Sequence, residues 1–193
     1  YGDLYFDVAP PPSLLALSAQ VPGSRALLAH CGSLSKVLSP GLRVGWMIAP
    51  ADLLARATMC KQFSDAHTST FAQATAAQYL KAGRMPGTLA KVRAVYAERA
   101  RTMGEALRTE LGDAISFSQP GGGLFFWARL TGAGGKVQDG NELAKRAIEK
   151  GVAFVPGTPF FASQPDHATL RLSFATADVA KIREGVARLG QAL

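Results

Sequence analysis

The segment after Pro86 constrains this chain more than any other. Leu89, Val92, Tyr96, Ala100, Met103, Leu107 and Leu111 recur every three or four residues until Gly112, the spacing of one apolar helix face. Arg101 and Glu105 stand four apart on the other face, where opposite charges can pair. A helix of six or seven turns is expected. Such length in a chain of 193 residues suits a connector between two lobes. The expected division is residues 1–83, a connecting helix over 84–112, and a second lobe over 113–193.

Short elements flank that helix. Arg25–His30 and Val44–Ala49 are apolar runs bounded by Gly, Ser and Pro and read as strands, followed by helices over 51–63 and 71–81 that end before Gly83. Beyond Gly112, Ile115–Ser118 and Leu124–Leu130 read as antiparallel neighbours around a tight Gly121–Gly123 turn. Asp139 with Glu142 resembles a capping box ahead of a helix that stops at Gly151. Val152–Val155 and Leu170–Phe174 read as strands, and Val179, Ile182, Val186, Leu189 and Leu193 as a last helical stripe. The fold class is α/β.

Charge and cysteine usage narrow the function. The net charge of +7 is concentrated on residues 81–111, which carry 7 basic and 3 acidic side chains, with no run of four basic residues anywhere. A solvated helix face explains this better than a nucleic-acid surface. Cys31 and Cys60 have no partner at metal-ligand spacing and are expected as buried free thiols, and His30, His67 and His167 are too scattered to suggest a metal. No apolar run approaches the roughly eighteen residues of a membrane span, and the N-terminus lacks a secretory pattern. A cytoplasmic location is the expectation.

The chemistry-bearing stretch is Cys31–Trp46, CGSLSKVLSPGLRVGW. Lys36 lies between Ser33, Ser35 and, beyond Pro40-Gly41, Arg43. Two hydroxyls and a guanidinium on one loop suit a phosphate, and a primary amine among them can attack a carbonyl. In LRLSFA, alternation places Leu170, Leu172 and Phe174 on one strand face and Arg171 with Ser173 on the other.

SLSK followed by PGLRVGW resembles the cofactor-lysine motif of fold-type I aminotransferases of class I/II, which use pyridoxal 5'-phosphate, and in particular the branch of 2-aminoadipate and kynurenine aminotransferases. YGDLYF at the start, HTSTFAQ at 67–73, QPGGGLFFW at 119–127, GVAFVPGTPFFA at 151–162 and LRLSFA at 170–175 follow in the family's order. The resemblance implies the C-terminal part of that fold: an incomplete large-domain sheet and a small α/β domain. It implies that Lys36 binds the cofactor covalently and moves a proton at the substrate's α carbon. Ser33, Ser35 and Arg43 match phosphate-holding positions, and Tyr1 matches a tyrosine that bonds the cofactor's ring oxygen. Arg171 matches the arginine that grips the substrate α-carboxylate. No metal is implied.

The implied activity is amino-group transfer between an L-amino acid and a 2-oxo acid, in a homodimer. The chain opens at Tyr1, and the family's aspartate at the cofactor ring nitrogen would lie upstream, so a fragment inactive by itself is expected. MocR/GntR-type transcription regulators carry the same fold behind a winged-helix domain. In that alternative the cofactor is a sensed ligand, and DNA is a partner only if such a domain lies upstream.

Overall fold

The computed structural model describes residues 2–136 and 138–193. It divides into two compact units, residues up to 3 with 9–91, and residues 4–8 with 92–193.

The first unit holds α1 (Leu14–Leu17), β1 (His30–Ser33), β2 (Gly45–Ile48), α2 (Ala51–Asp65), α3 (Thr70–Lys81) and the opening turns of α4 (Met85–Leu111). β1 and β2 form an antiparallel pair in which Gly32 faces Trp46. A Cβ at Gly32 would stand 2.2 Å from the Trp46 ring, so any larger residue here would force that half-exposed ring to move. The Ser69 hydroxyl caps α3 by accepting from Ala72 N, and the Tyr79 and Thr88 hydroxyls hydrogen-bond to each other. Leu34, Val37, Ala72 and Ala76 are its buried apolar residues.

Two expectations fail in this unit. Arg25–His30 is not a strand: Ser24–Leu27 forms a 3-10 turn and pairing begins only at His30. Gly23, at φ +77°, and the Ser24 hydroxyl, donating to Val21 O, turn the backbone where apolar composition alone indicated extension. Cys31 and Cys60 are exposed rather than buried, because neither β1 nor α2 has a second layer over it among the described residues.

The second unit contains the rest of α4, then β3 (Ile115–Phe117), β4 (Phe125–Leu130), α5 (Gly140–Glu149), β5 (Val155–Pro156), β6 (Thr169–Ser173) and α6 (Val179–Gly190). Its sheet runs β3-β4-β6-β5, antiparallel throughout. Alternation along β4 buries Phe126, Ala128 and Leu130 and turns Phe125, Trp127 and Arg129 outward. Against the inner face pack Met103 and Leu107 of α4, Leu143 and Ala147 of α5, and Ile182 and Val186 of α6. Phe174 is fully buried, with the Phe126, Tyr96 and Phe6 rings centred 5.9, 6.2 and 6.2 Å away. Each such side chain contributes about 1.5–3 kcal/mol through burial.

The long helix forms as its periodicity predicts, with Arg101 Nη1 3.0 Å from Glu105 Oε1, and Asp139 caps α5 by accepting from Asn141 N and Glu142 N. Gly121–Gly123 does more than turn. Leu4 O accepts from Gly123 N and Phe6 N donates to Gly121 O, both at 2.8 Å, and a Cβ on Gly122 would meet Leu4 O at 2.7 Å. Val152–Val155 yields only the short β5, because Val152 N donates to Ala147 O and closes the end of α5 instead of joining the ladder.

Candidate functional site

The residues around Lys36 are positioned by local geometry. Leu34 N donates to Val44 O at 3.0 Å and Leu38 N to Leu34 O at 2.9 Å, so one helical turn follows β1 directly. Leu34 and Val37 are buried, only 4% and 8% exposed, and pin that turn on both sides of Lys36, which is itself exposed. Ser33, Ser35 and Arg43 come together there. Ser33 Oγ accepts from Ser35 N at 3.1 Å and donates to Ser35 Oγ at 3.0 Å, and Arg43 Nη1 donates to Ser35 Oγ at 3.4 Å and to Pro40 O at 3.2 Å.

Arg43 adopts the left-handed conformation, φ 54° and ψ 34°, immediately after the Pro40–Leu42 3-10 turn. A Cβ-bearing residue there costs roughly 1–2 kcal/mol, and the same backbone reversal accompanies the return of its guanidinium to Ser35. Nothing in the residue type signals this, since arginine is not a left-handed former. Arg43 also borders a cavity of about 480 Å³ shared with His67 and with Ser69 at the start of α3. Their place beside Arg43 was not legible in the sequence, because the turn that brings 65–69 beside 41–43 is not a local pattern.

Arg171 belongs to the second unit. It projects from the outer face of β6, opposite Trp127 on β4 and Val155 on β5, as the alternation of LRLSFA predicts. Its Cζ lies 4.2 Å over the Phe125 ring centroid and 4.6 Å over that of Phe160. The two rings were missed in the sequence as neighbours of Arg171, although the alternation of FFWARL does put Phe125 on its face. Tyr1 lies outside the described residues.

Asp139 and Asp166 carry carboxyls shifted by their neighbours. Hydrogen bonding from Asn141 N holds the Asp139 carboxyl below its ordinary range, and the Arg129 side chain does the same to Asp166 from 2.9 Å. Asp139 caps α5, and Asp166 ties the segment before β6 to Arg129 of β4. Among the described residues no cluster of His, Cys, Asp or Glu could hold a metal ion, and no helix is long and apolar enough to cross a membrane.

A hydroxyl and guanidinium cluster beside a lysine, on the turn after a strand, is the arrangement to compare with known proteins. The family model for aminotransferase class I and II matches residues 1–189. The chain belongs to that family. Among its relatives is a 2-aminoadipate transaminase of Thermus thermophilus, 44% identical over 195 residues that cover 100% of this chain and 47% of the relative. The crystal structure of LysN, an α-aminoadipate aminotransferase of the same species complexed with N-(5'-phosphopyridoxyl)-L-leucine, superposes with a TM-score of 0.88 at 43% identity, covering 100% of this chain and 48% of that one. The HTH-type transcriptional regulator TauR of Rhodobacter capsulatus is 34% identical over 183 residues, which are 94% of this chain and 36% of the regulator. The chain thus spans about half the length, or less, of the curated relatives it matches. As a class I and II aminotransferase family member it has the α/β fold expected of its sequence.

Proposed function

We propose that the full-length protein containing this chain transfers an amino group between an L-amino acid and a 2-oxo acid with pyridoxal 5'-phosphate. The observation that carries the reading is the Ser33–Ser35–Arg43 cluster on the turn that presents Lys36. Its donor set fits the group. Two hydroxyls and a guanidinium, whose present acceptors are uncharged oxygens at 3.0 to 3.4 Å, can exchange them for bonds to charged phosphate oxygens. The bound cofactor supplies an aldehyde for amines and a conjugated ring that withdraws electrons from the carbon bearing the amino group.

The chain's own residues then divide the work. Ser33, Ser35 and Arg43 hold the phosphate. Lys36 Nζ provides the covalent attachment and, when displaced, takes a proton from the substrate α carbon and returns it, which requires an amine that reaches solvent-borne substrate. The exposure of Lys36 on a pinned turn supports this. Arg171 binds the α-carboxylate common to amino acid and oxo acid, and Tyr1 hydrogen-bonds the cofactor ring oxygen. Residues 1–83 belong to a large cofactor-binding domain, 84–112 to a connecting helix and 113–193 to a small domain of a cytoplasmic homodimer.

Likeness to TauR supports a second reading, in which the same site senses the cofactor without turnover. Amino transfer from L-amino acids to 2-oxoglutarate by the full-length protein decides between them. Transfer that falls about 10²–10⁴-fold in Lys36→Ala is expected. Cofactor binding at Lys36 without transfer would select the regulator, and absence of cofactor binding would overturn both.

A further inference from the structure

Arg171 differs from most arginines of its unit in what satisfies it, although Arg93 likewise stands over a ring, 3.8 Å from the Tyr5 centroid. Arg99, Arg108, Arg129, Arg146 and Arg188 each donate to a protein oxygen. Arg171 has no acceptor among the described residues, and its guanidinium carbon is placed over two ring faces instead. An acidic partner would satisfy an arginine but would also occupy the fork that a substrate carboxylate needs. Ring faces attract the cation while leaving its N–H donors unspent.

The rings are themselves fixed. Phe125 stands on the outer face of β4, paired in register with Ser173. Phe160 closes the 3-10 turn Thr158–Phe160, whose base is held to β6 by Gly157 N donating to Thr169 O at 2.7 Å. A Cβ at Gly157 would stand 2.0 Å from Thr169 Oγ1, so only glycine lets this turn sit on the strand two residues before Arg171. Trp127 meets Phe160 edge-on, with centroids 5.7 Å apart and planes at 83°.

We propose that Phe125 and Phe160 are positioning residues that clamp the Arg171 guanidinium between two π faces and keep its donors free for a carboxylate. The proposal rests on the reading of Arg171 as the carboxylate anchor. Both rings act on Arg171 and not on the reacting atoms, so their loss weakens carboxylate binding more than it slows turnover.

The test uses the full-length, cofactor-loaded protein, with calorimetric titration of succinate as the carboxylate probe and KM and kcat for the amino acid. Phe125→Leu and Phe160→Leu are each expected to weaken succinate binding by about threefold, and the double variant by about tenfold, with KM rising in proportion and kcat within about twofold. Phe160→Tyr, which keeps the ring face, is expected to bind as the wild type does. Arg171→Gln is expected to lose at least about thirtyfold. Leucine variants that bind like wild type while Arg171→Gln does not would overturn the clamp and leave the anchor standing. Unchanged binding in Arg171→Gln would overturn both, and failure of Phe160→Tyr to match wild type would assign the effect to packing and overturn the clamp.

Discussion

Phe126, Leu143, Leu170 and Phe174 of the second unit are sealed from solvent, whereas Phe63 and Phe71 of the first are 85% and 80% exposed. Four strands and three helices share one core in the second unit, while the first has a two-stranded sheet whose Trp46, Met47 and Ile48 remain open. The two candidate site elements inherit this difference. Arg171 stands on a sheet that its own unit supports from beneath, and the Lys36 turn is held by little more than Leu34, Val37 and a few backbone bonds. The Lys36 turn is therefore built from local turn geometry, whereas Arg171 rests on its own unit's core.

The largest effect that could break this comparison is on stability. Phe126→Ala is expected to destabilise the second unit by about 3–5 kcal/mol in thermal or denaturant melts, and Phe63→Ala to stay within about 0.5 kcal/mol in the 193-residue chain. Comparable losses at the two positions would show that the first unit has a core of its own.

A sharper separation of fold from site comes from Arg43→Gly. Glycine relieves the left-handed backbone at φ 54° while deleting the guanidinium. Cofactor affinity of the full-length protein is expected to fall at least about tenfold, as loss of a charge-assisted bond implies, with no drop in melting temperature. A variant that binds normally would remove Arg43 from the phosphate cradle.

Smaller effects come from the acid side. Asp139 and Asp166 have carboxyls held below their ordinary value, so each contributes stability that is complete above about pH 4 and is lost as pH falls through the lowered folded value. Melts from pH 6 to pH 2.5 are expected to show a smaller acid-induced decline in Asp166→Asn than in the parent chain. Asp139→Ala should cost about 1 kcal/mol at neutral pH through loss of the α5 cap. An acid decline identical in Asp166→Asn would assign no role to its bond with Arg129.

Much of this was legible because it is periodic or local. The long helix, the β3–β4 pairing, the Asp139 cap and the outward face of Arg171 follow from spacing over a few residues. The cluster of Ser33, Ser35 and Arg43 followed from residue types whose chemistry is shared. Features that depend on distant segments were not legible. The seating of Leu4–Phe6 on Gly121–Gly123 joins residues over a hundred positions apart in sequence. Burial of Cys31 and Cys60 was expected from the habit of the residue type, but burial is a property of what packs above, and nothing described covers them. The left-handed Arg43 runs against its own propensity, so its residue type gives no sign of it.

The central claim is that the Ser33–Ser35–Arg43 cradle makes Lys36 the lysine that carries pyridoxal 5'-phosphate. Borohydride reduction of the full-length protein with the cofactor, followed by proteolysis and mass spectrometry, tests it most directly. The account predicts one phosphopyridoxyl-modified lysine, Lys36, lost in Arg43→Gly at limiting cofactor; modification at another lysine, or none, would contradict it.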